Sequence, residues 1–268
     1  MAKRLTSSLI ISTYNWPEAL DLVLKSVLNQ SEFPDEILIA DDGSSEETKD
    51  LIESYVSKFD IPIIHVWQED KGFQKSKILN QAIAKAKGEY LIQIDGDCII
   101  HKHFVKDHLT EAETGYYLFG GRVNIQESFL PTLFKTKKIN FSPFSKGIKK
   151  RPRAFYSPIL AKFQGEVPEI SEKFRGCNTS YFRKDAIAVN GYDEAFIGWG
   201  REDSEFMRRL HHNGIKGKRL KFKGILFHIF HVEKSRERLD ANDDIELQTI
   251  TSKSKWAENG IDKYLPKA

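Results

Sequence analysis

Apolar and polar positions follow two alternating periods over the first hundred residues. Leu9, Ile10 and Ile11 form a short apolar run that ends in Ser12 and Thr13, the pattern of a buried strand. Leu20, Val23, Leu24, Val27 and Leu28 recur at i, i+3, i+4, i+7 and i+8, which predicts one face of a helix. Ile37 to Ala40 predicts a second strand. Ser44 with Glu47 has the form of a capping box, and Leu51, Ile52, Tyr55, Val56 and Phe59 continue as a helical stripe. Ile61 to Trp67 predicts a third strand. Ile78, Leu79, Ala82, Ile83 and Ala86 mark a third helix that Gly88 ends, and Tyr90 to Ile94 a fourth strand.

This alternation predicts an α/β fold with a mostly parallel, doubly wound sheet flanked by helices. Polar residues collect just after the strands: Thr13-Tyr14-Asn15, Asp41-Asp42-Gly43-Ser44 and Asp95-Gly96-Asp97. In an open α/β sheet the crevice at the carboxyl ends of the strands takes ligands, so a site is expected there. After Gly121 the regularity fades. Leu130 to Gly165 mixes Pro, Lys and aromatic residues with little period and reads as a long loop or mobile appendage. Order returns at Phe174. Asp203 to His212 predicts a helix with Phe206, Met207 and Leu210 on one face, and Gly224 to Phe230 a further strand. From Val232 onward the chain is charged and reads as helical. No internal repeat or second-domain boundary stands out, so 1–268 reads as a single domain.

Composition narrows the function classes. With 268 residues, 40% hydrophobic and 29% charged, the chain can bury a core and is not of disordered type. Lys and Arg number 41 against 38 Asp and Glu, a net charge of +3, too balanced for a dedicated nucleic-acid binder. The charge is uneven: nine Lys/Arg and no acid lie between Ser128 and Gly165, so the remainder carries −6. Among those cations lie Phe134, Ile139, Phe141, Phe144, Ile148 and Phe155. The segment reads either as a solvated loop or as a surface for an anionic membrane or glycan. Cys98 and Cys177 have no metal-site or disulfide-framework spacing, which favours a reducing compartment. Lys3 and Arg4 precede an apolar run too short for a signal peptide, and no stretch approaches a membrane span. The expected location is cytoplasmic, with peripheral attachment to the inner face of a membrane as an option.

Three clusters carry candidate chemistry. Asp95 and Asp97 flank a glycine at a strand end, where two carboxylates can meet a hard divalent cation and its ligand, or form a polar turn. Asp41 and Asp42 can hydrogen-bond a base or ribose, or simply feed a capped helix. In Gly198-Trp199-Gly200-Arg201-Glu202-Asp203, two glycines permit a turn that presents an aromatic face beside two carboxylates. That is the equipment for stacking on a sugar and bonding its hydroxyls. His228 and His231 lie three apart near a strand end. In a regular strand they face opposite sides, so at most one is expected to bind metal.

Together these residues resemble a known family. Ile11 to Asn15, Ala40 to Ser44, Lys71-Gly72-Phe73-Gln74 with Lys75, Lys77 and Asn80, and Gly88-Glu89-Tyr90 leading into Asp95-Gly96-Asp97 are similar to the GT-A glycosyltransferases of family 2. Arg175-Gly176-Cys177-Asn178, Asn190 to Phe196 and Gly198 to Asp203 resemble the acceptor half of bacterial chondroitin polymerases and a galactosyltransferase module. The match runs from about residue 8 to 232. The resemblance implies an inverting, metal-assisted transfer from a UDP-sugar to a glycan or lipid-linked acceptor, with Mn²⁺ or Mg²⁺ as cofactor. It implies nucleotide-sugar contacts from Ser12, Thr13, Tyr14, Asp41, Asp42, Lys75 or Lys77, Asp95, Gly176 and Asn178. It implies metal binding by Asp97 and His231, with His228 as the alternative, and Asp203 as general base. Glu202 and Trp199 would hold the acceptor. It divides the chain into a nucleotide-sugar half (1–121), a basic variable segment (122–173), an acceptor half (174–232) and a C-terminal helical tail (233–268).

Rival readings are weaker. A nucleotidyltransferase or phosphatase also uses paired Asp on an α/β sheet, but has no role for Gly-Trp-Gly-x-Glu-Asp. The chain has neither a Walker A sequence nor a Gly-x-Gly-x-x-Gly fingerprint. A carbohydrate- or nucleotide-sugar-binding protein with a degenerate transferase fold is the alternative from another class; every expected polar position is nonetheless filled.

Overall fold

The computed structural model describes residues 4–163, 166–167, 171, 174–232 and 235–266. Lys3, parts of the basic segment (164–165, 168–170, 172–173) and the start of the C-terminal tail (233–234) lie outside the described residues. The strands are β1 (Ser7–Thr13), β2 (Glu36–Asp41), β3 (Ile63–Trp67), β4 (Tyr90–Asp95), β5 (Cys98–Ile100), β6 (Tyr116–Gly120), β7 (Arg122–Ile125), β8 (Ile148–Lys149), β9 (Glu166–Val167), β10 (Asn178–Phe182), β11 (Lys216–Leu220) and β12 (Leu226–His228). The helices are α1 (Pro17–Leu28), α2 (Glu46–Val56), α3 (Lys75–Lys85), α4 (Phe104–Glu111), α5 (Leu130–Thr136), α6 (Pro158–Ala161), α7 (Arg183–Ala188), α8 (Glu202–His212) and α9 (Leu239–Ser252).

The main sheet runs β3-β2-β1-β4-β10-β6-β11-β9. β1 to β4 are mutually parallel, as the alternation predicts, whereas β10 is antiparallel to both neighbours. β1 and β2 are buried along their whole length because helices cover both faces, which is why they read as continuous apolar runs. One core lies under α1 and α2 (Leu9, Leu20, Val23, Ile37, Ile92) and the other under α3 and α8 (Ile10, Leu38, Ile78, Leu79, Phe206). The register positions the polar strand ends: Ser12 pairs with Asp95, so the carboxyl ends of β1 and β4 finish side by side.

A second sheet, β5-β12-β7-β8, stands beside the first. Here the structure corrects the reading of residues 130–165 as a long loop or mobile appendage. Leu133, Phe141, Ile148 and Ala154 are buried, packed with Val123, Ile125 and Phe227 and with Ala19 and Leu22 of α1. Of the six apolar side chains read as interleaved with the basic residues, only Phe144 and Phe155 are exposed. Periodicity failed here because the segment contributes one residue at a time to a core built by other elements.

The tail also packs back. After α9 the chain returns to Asn190, whose Nδ2 donates to the Ala257 carbonyl (2.7 Å) and whose Oδ1 accepts from the Asp262 amide (2.8 Å). Beneath α8, Arg209 is 1% exposed and grips both carboxylate oxygens of Glu205 at 2.6 Å while donating to the carbonyls of Val189 and Gly191. Such a buried ion pair costs desolvation, and removing one partner leaves the other uncompensated. Glu205→Ala is therefore expected to lower unfolding free energy by about 3–5 kcal/mol in urea titrations, whereas a loss under about 1 kcal/mol would mean the pair is open to water.

Candidate functional site

A cleft of about 1300 Å³ opens at the carboxyl ends of β1, β2 and β4. Ser12, Thr13, Tyr14, Asp42, Lys75, Asp95, Asp97, Gly176, Trp199, Glu202, Asp203 and His231 all line it. The location is the one the polar clusters after the strands pointed to.

At its floor, Lys75 joins the two halves of the chain. Its ammonium lies 2.9 Å from Asp95 Oδ1 and 3.9 Å from Asp203 Oδ2. Asp95 Oδ1 also accepts from Ser12 Oγ at 2.7 Å. Burial alone would push the lysine toward neutrality, but Asp203 and Asp95, helped by Glu202, hold it well above its ordinary value. Burial raises Asp203, against the pull of Lys75, and lifts Glu202 to about 7, with repulsion from Asp203 adding to it. The Asp203 side chain is 22% exposed at the cleft, and burial leaves its carboxylate more basic than an exposed aspartate although the Gly176 amide and the Tyr192 hydroxyl pull the other way.

The Gly-Trp-Gly turn behaves as read from the sequence. Gly198 and Gly200 have φ of 79° and 110°, values that disfavour a side chain, and Gly200 N–H donates to Glu202 Oε2 at 3.1 Å. Trp199 stays 39% exposed at the cleft wall with the Arg236 guanidinium 5.7 Å from its ring centre. Gly176, expected as a nucleotide contact, lines the cleft and also lies against Asp203. A β-carbon there would lie 2.0 Å from the Asp203 carboxylate, so glycine lets the backbone approach that group. Gln93 helps to fix this floor: Oε1 accepts from Tyr181 and Tyr192 at 2.9 and 3.0 Å, while Nε2 faces the Gly176 carbonyl at 3.4 Å.

The two histidines correct a second expectation. β12 ends at His228, opposite Cys98 and therefore beside Asp97. The Ile229 amide then bonds the Asp97 carbonyl at 2.9 Å, and the chain turns. The alternation rule stops applying at the strand end, and both rings face Asp97, with Nε2 of His228 at 3.5 Å and of His231 at 3.3 Å from Oδ2. His231 Nδ1 lies 2.8 Å from the Val232 carbonyl and so donates to it, which leaves Nε2 as the ring nitrogen facing Asp97. Burial lowers the His228 pKa and favours its neutral form. One carboxylate with two imidazole nitrogens around it is a set that could hold a divalent cation.

Three expected nucleotide contacts are committed elsewhere. Asp41 is fully buried, its Oδ1 accepting from the Ser44 amide and its Oδ2 facing His65 Nε2, both at 2.8 Å. Ser44 in turn accepts from the Asn15 amide with its hydroxyl at 2.8 Å, so the capping box does not form and Ser45 is the N-cap residue. Asn178 Nδ2 bridges the carbonyls of Gly121 and Gly224 at 2.9 and 2.8 Å. Lys77 lies on α3 away from the cleft lining, which leaves Lys75 as the lysine of the site. Asp42 keeps its place: Gln68 Nε2 and the Gln74 amide donate to it at 2.6 and 2.8 Å, and burial raises it to about 6. The sequence reading missed Trp16, Phe73, Arg122 and Arg175, which also line the cleft. Phe73 and Arg175 belong to the Lys-Gly-Phe-Gln and Arg-Gly-Cys-Asn motifs, but nothing local marks Trp16 or Arg122.

Comparison with known proteins agrees with this architecture. The model of glycosyl transferase family 2 matches residues 8–186, and that of the N-terminal domain of galactosyltransferase matches 160–232. The chondroitin synthase of Pasteurella multocida (strain Pm70) is 28% identical over 228 residues, 79% of this chain and 23% of that protein. The validoxylamine A glucosyltransferase of Streptomyces hygroscopicus subsp. limoneus is 27% identical over 232 residues, 78% of this chain and 48% of that protein. The chain thus spans less than half the length of either relative. S. aureus TarS 1–349 in complex with UDP has a TM-score of 0.63 at 18% identity, covering 97% of this chain and 68% of that one. The mannosyltransferase PcManGT of Pyrobaculum calidifontis, in complex with GDP-Man and Mn²⁺, has a TM-score of 0.58 at 16% identity over 85% of this chain and 57% of that one. These likenesses show the GT-A fold expected from the sequence.

The contact between Gly176 and Asp203 can be tested without any substrate. Gly176→Ala is expected to cost about 1–3 kcal/mol of stability by overpacking. Most of that cost should vanish in the Asp203→Ala background, where the clashing carboxylate is gone. Costs that simply add in a double-mutant cycle would separate the two residues.

Proposed function

The chain belongs to glycosyl transferase family 2, and from that premise we propose that it transfers a hexose or N-acetylhexosamine from a UDP-sugar, with inversion, to a hydroxyl of a glycan or lipid-linked acceptor. Surface polysaccharide synthesis is the setting that the relatives suggest. The observation that carries the reading is the partly exposed Asp203 carboxylate in the same cleft as the Asp97, His228 and His231 cluster.

The donor lies along the carboxyl ends of β1, β2 and β4. Asp42, held by Gln68 and Gln74, accepts hydrogen bonds from the base or ribose, and Thr13 and Tyr14 line the same wall. Asp95, fixed by Ser12 and Lys75, faces the ribose. Asp97, His228 and His231 would hold Mn²⁺, which when bound neutralises charge on a diphosphate leaving group. Trp199 stacks on the acceptor sugar, and Glu202 orients a hydroxyl. Asp203 takes the acceptor hydroxyl's proton as the hydroxyl oxygen attacks the anomeric carbon on the face opposite the leaving diphosphate. One base on that face suffices for inversion. The position of Asp203 at the start of α8 favours its anion, but burial raises its basicity.

No helix among the described residues is long and apolar enough to cross a membrane. We place the chain at the cytoplasmic face of a membrane, held peripherally, because Ile159 and Phe163 are 73% and 80% exposed on either side of the exposed Lys162. Co-sedimentation with anionic vesicles at low salt should be lost when Ile159 and Phe163 are both changed to Ser. Binding that survives those changes, or none in the unaltered protein, rejects the attachment.

UDP should raise the melting temperature more with Mn²⁺ than with EDTA, and Asp97→Asn should erase the difference. Asp203→Asn should keep UDP binding but lower turnover by about 10²-fold or more. Equal stabilisation with and without metal removes the cation site, and near-normal turnover moves the base to Glu202.

A further inference from the structure

Apart from Arg236, which stands over the Trp199 ring, the arginines and lysines at the cleft fall into two groups. Lys75 faces Asp95 and Asp203, Arg201 pairs with Asp243, and Arg208 bonds Glu246 at 2.7 Å. These are neutralised within the protein. The second group lies at the cleft edge where β7 begins. Arg122 and Arg175 line the cleft, and the turn Arg151–Ala154 carries Arg153 against them. Arg153 Nη1 donates to the Arg122 carbonyl at 3.2 Å. Lys150 precedes the same turn. Among the described residues, neither Arg122, Lys150 nor Arg153 has a carboxylate partner, although the exposed Glu127 lines the same cleft.

These charges act on one another. Lys150 is held below its ordinary pKa by burial and then by Arg153, Arg122 and Arg175, and Arg219 is lowered by burial and then by Arg153. Arg122, Lys150 and Arg153, like charges with no carboxylate partner among the described residues, store repulsion that an oxyanion can relieve, and guanidinium groups match phosphate and carboxylate in a fork geometry. Position indicates which molecule brings the anion. Arg175 immediately precedes Gly176, whose backbone lies against the Asp203 carboxylate. The cluster therefore borders the place where an acceptor hydroxyl meets its base.

We infer that Arg122, Lys150 and Arg153 form an anion subsite for a phosphate or carboxylate group carried by the acceptor, which makes the acceptor a sugar phosphate or an acidic glycan rather than a neutral one. The inference rests on the proposed transferase activity and adds the charge class of the acceptor. The oxyanion is the shared chemistry; a phosphate ester and a uronate are its two sources.

The experiment measures binding of three disaccharides by calorimetry in saturating UDP: one neutral, one bearing a phosphate ester and one bearing a uronate. EDTA is present so that phosphate cannot be captured by a metal. At least one charged disaccharide should bind about tenfold or more tightly than the neutral one at low salt, and the advantage should shrink as salt rises. Lys150→Asn with Arg153→Gln should abolish the advantage and leave UDP affinity unchanged. Asn suits position 150, where φ is 59°. Arg122→Gln provides a second variant that leaves the turn intact, and it should also lose the advantage. Which charged disaccharide binds separates phosphate from uronate. Equal binding of neutral and charged disaccharides, no binding of any, or an advantage that survives both variants overturns the inference. So does a loss of UDP affinity in the variants, which would give the cluster to the donor. Failure of the unaltered protein to bind UDP even with Mn²⁺ present tells instead against the transferase reading.

Discussion

Lys75 stands at the start of α3, where the helix dipole disfavours a cation, and its side chain is only 14% exposed. Both conditions cost free energy, and the carboxylates of Asp95 and Asp203 offset them. The same contact fixes much else. Asp95 closes β4 in the first half of the chain, and Asp203 opens α8 in the second. The ammonium thus sets how far the β1–β4 wall stands from the Gly-Trp-Gly turn, and so the width of the cleft. Without it, Asp95, Glu202 and Asp203 would be crowded acids with no counter-charge.

The rest of the architecture serves this arrangement. Asn80 on α3 donates to the Tyr192 carbonyl at 2.8 Å and accepts from the Tyr192 amide at 2.7 Å, tying α3 to the segment that leads into the turn. Asp193 to Trp199 comes next in the chain, and α8 is held from below by the buried Glu205 and Arg209 pair and from outside by α9. A helix anchored on two sides can hold Glu202 and Asp203 close together at the cleft, because its first turn is not free to rotate toward water. The metal-type cluster sits on the smaller sheet, whose strands β5 and β12 place Asp97 and His228 next to each other by register.

The strands that carry the donor wall were legible because they are buried on both faces and end abruptly in polar residues. Asp42, Lys75, Asp95, Asp97, Trp199 and Asp203 all reached the cleft from that reading. What was not legible depends on partners distant in sequence. Asp41 and Asp42 are adjacent and chemically alike, yet His65 and the Ser44 amide take the first while the second faces the cleft. Asn178 ends the Arg-Gly-Cys-Asn motif, but two backbone carbonyls supplied by other segments claim it. His228 and His231 converge only because β12 ends between them. The basic segment shows no period because its few buried residues, Leu133, Phe141 and Ile148, enter a core shared with α1 and β7.

The central claim is that one buried ammonium balances the acids of the cleft, and stability against pH in Lys75→Met tests it most directly. Methionine keeps an unbranched side chain, one atom shorter, and removes the charge with its hydrogen-bond donors. Without the cation, Glu202 and Asp203 have folded pKa values raised further above their unfolded ones. Their contribution to stability is then full below the unfolded values near pH 4 and is lost as pH rises through the folded values. Lysine keeps its charge throughout this range in the unaltered protein. The deficit of Lys75→Met relative to the unaltered protein should therefore be on the order of 3–5 kcal/mol at pH 8 and shrink markedly toward pH 5. A deficit of the same size at both pH values would contradict the account, because it would reduce Lys75 to a packing residue.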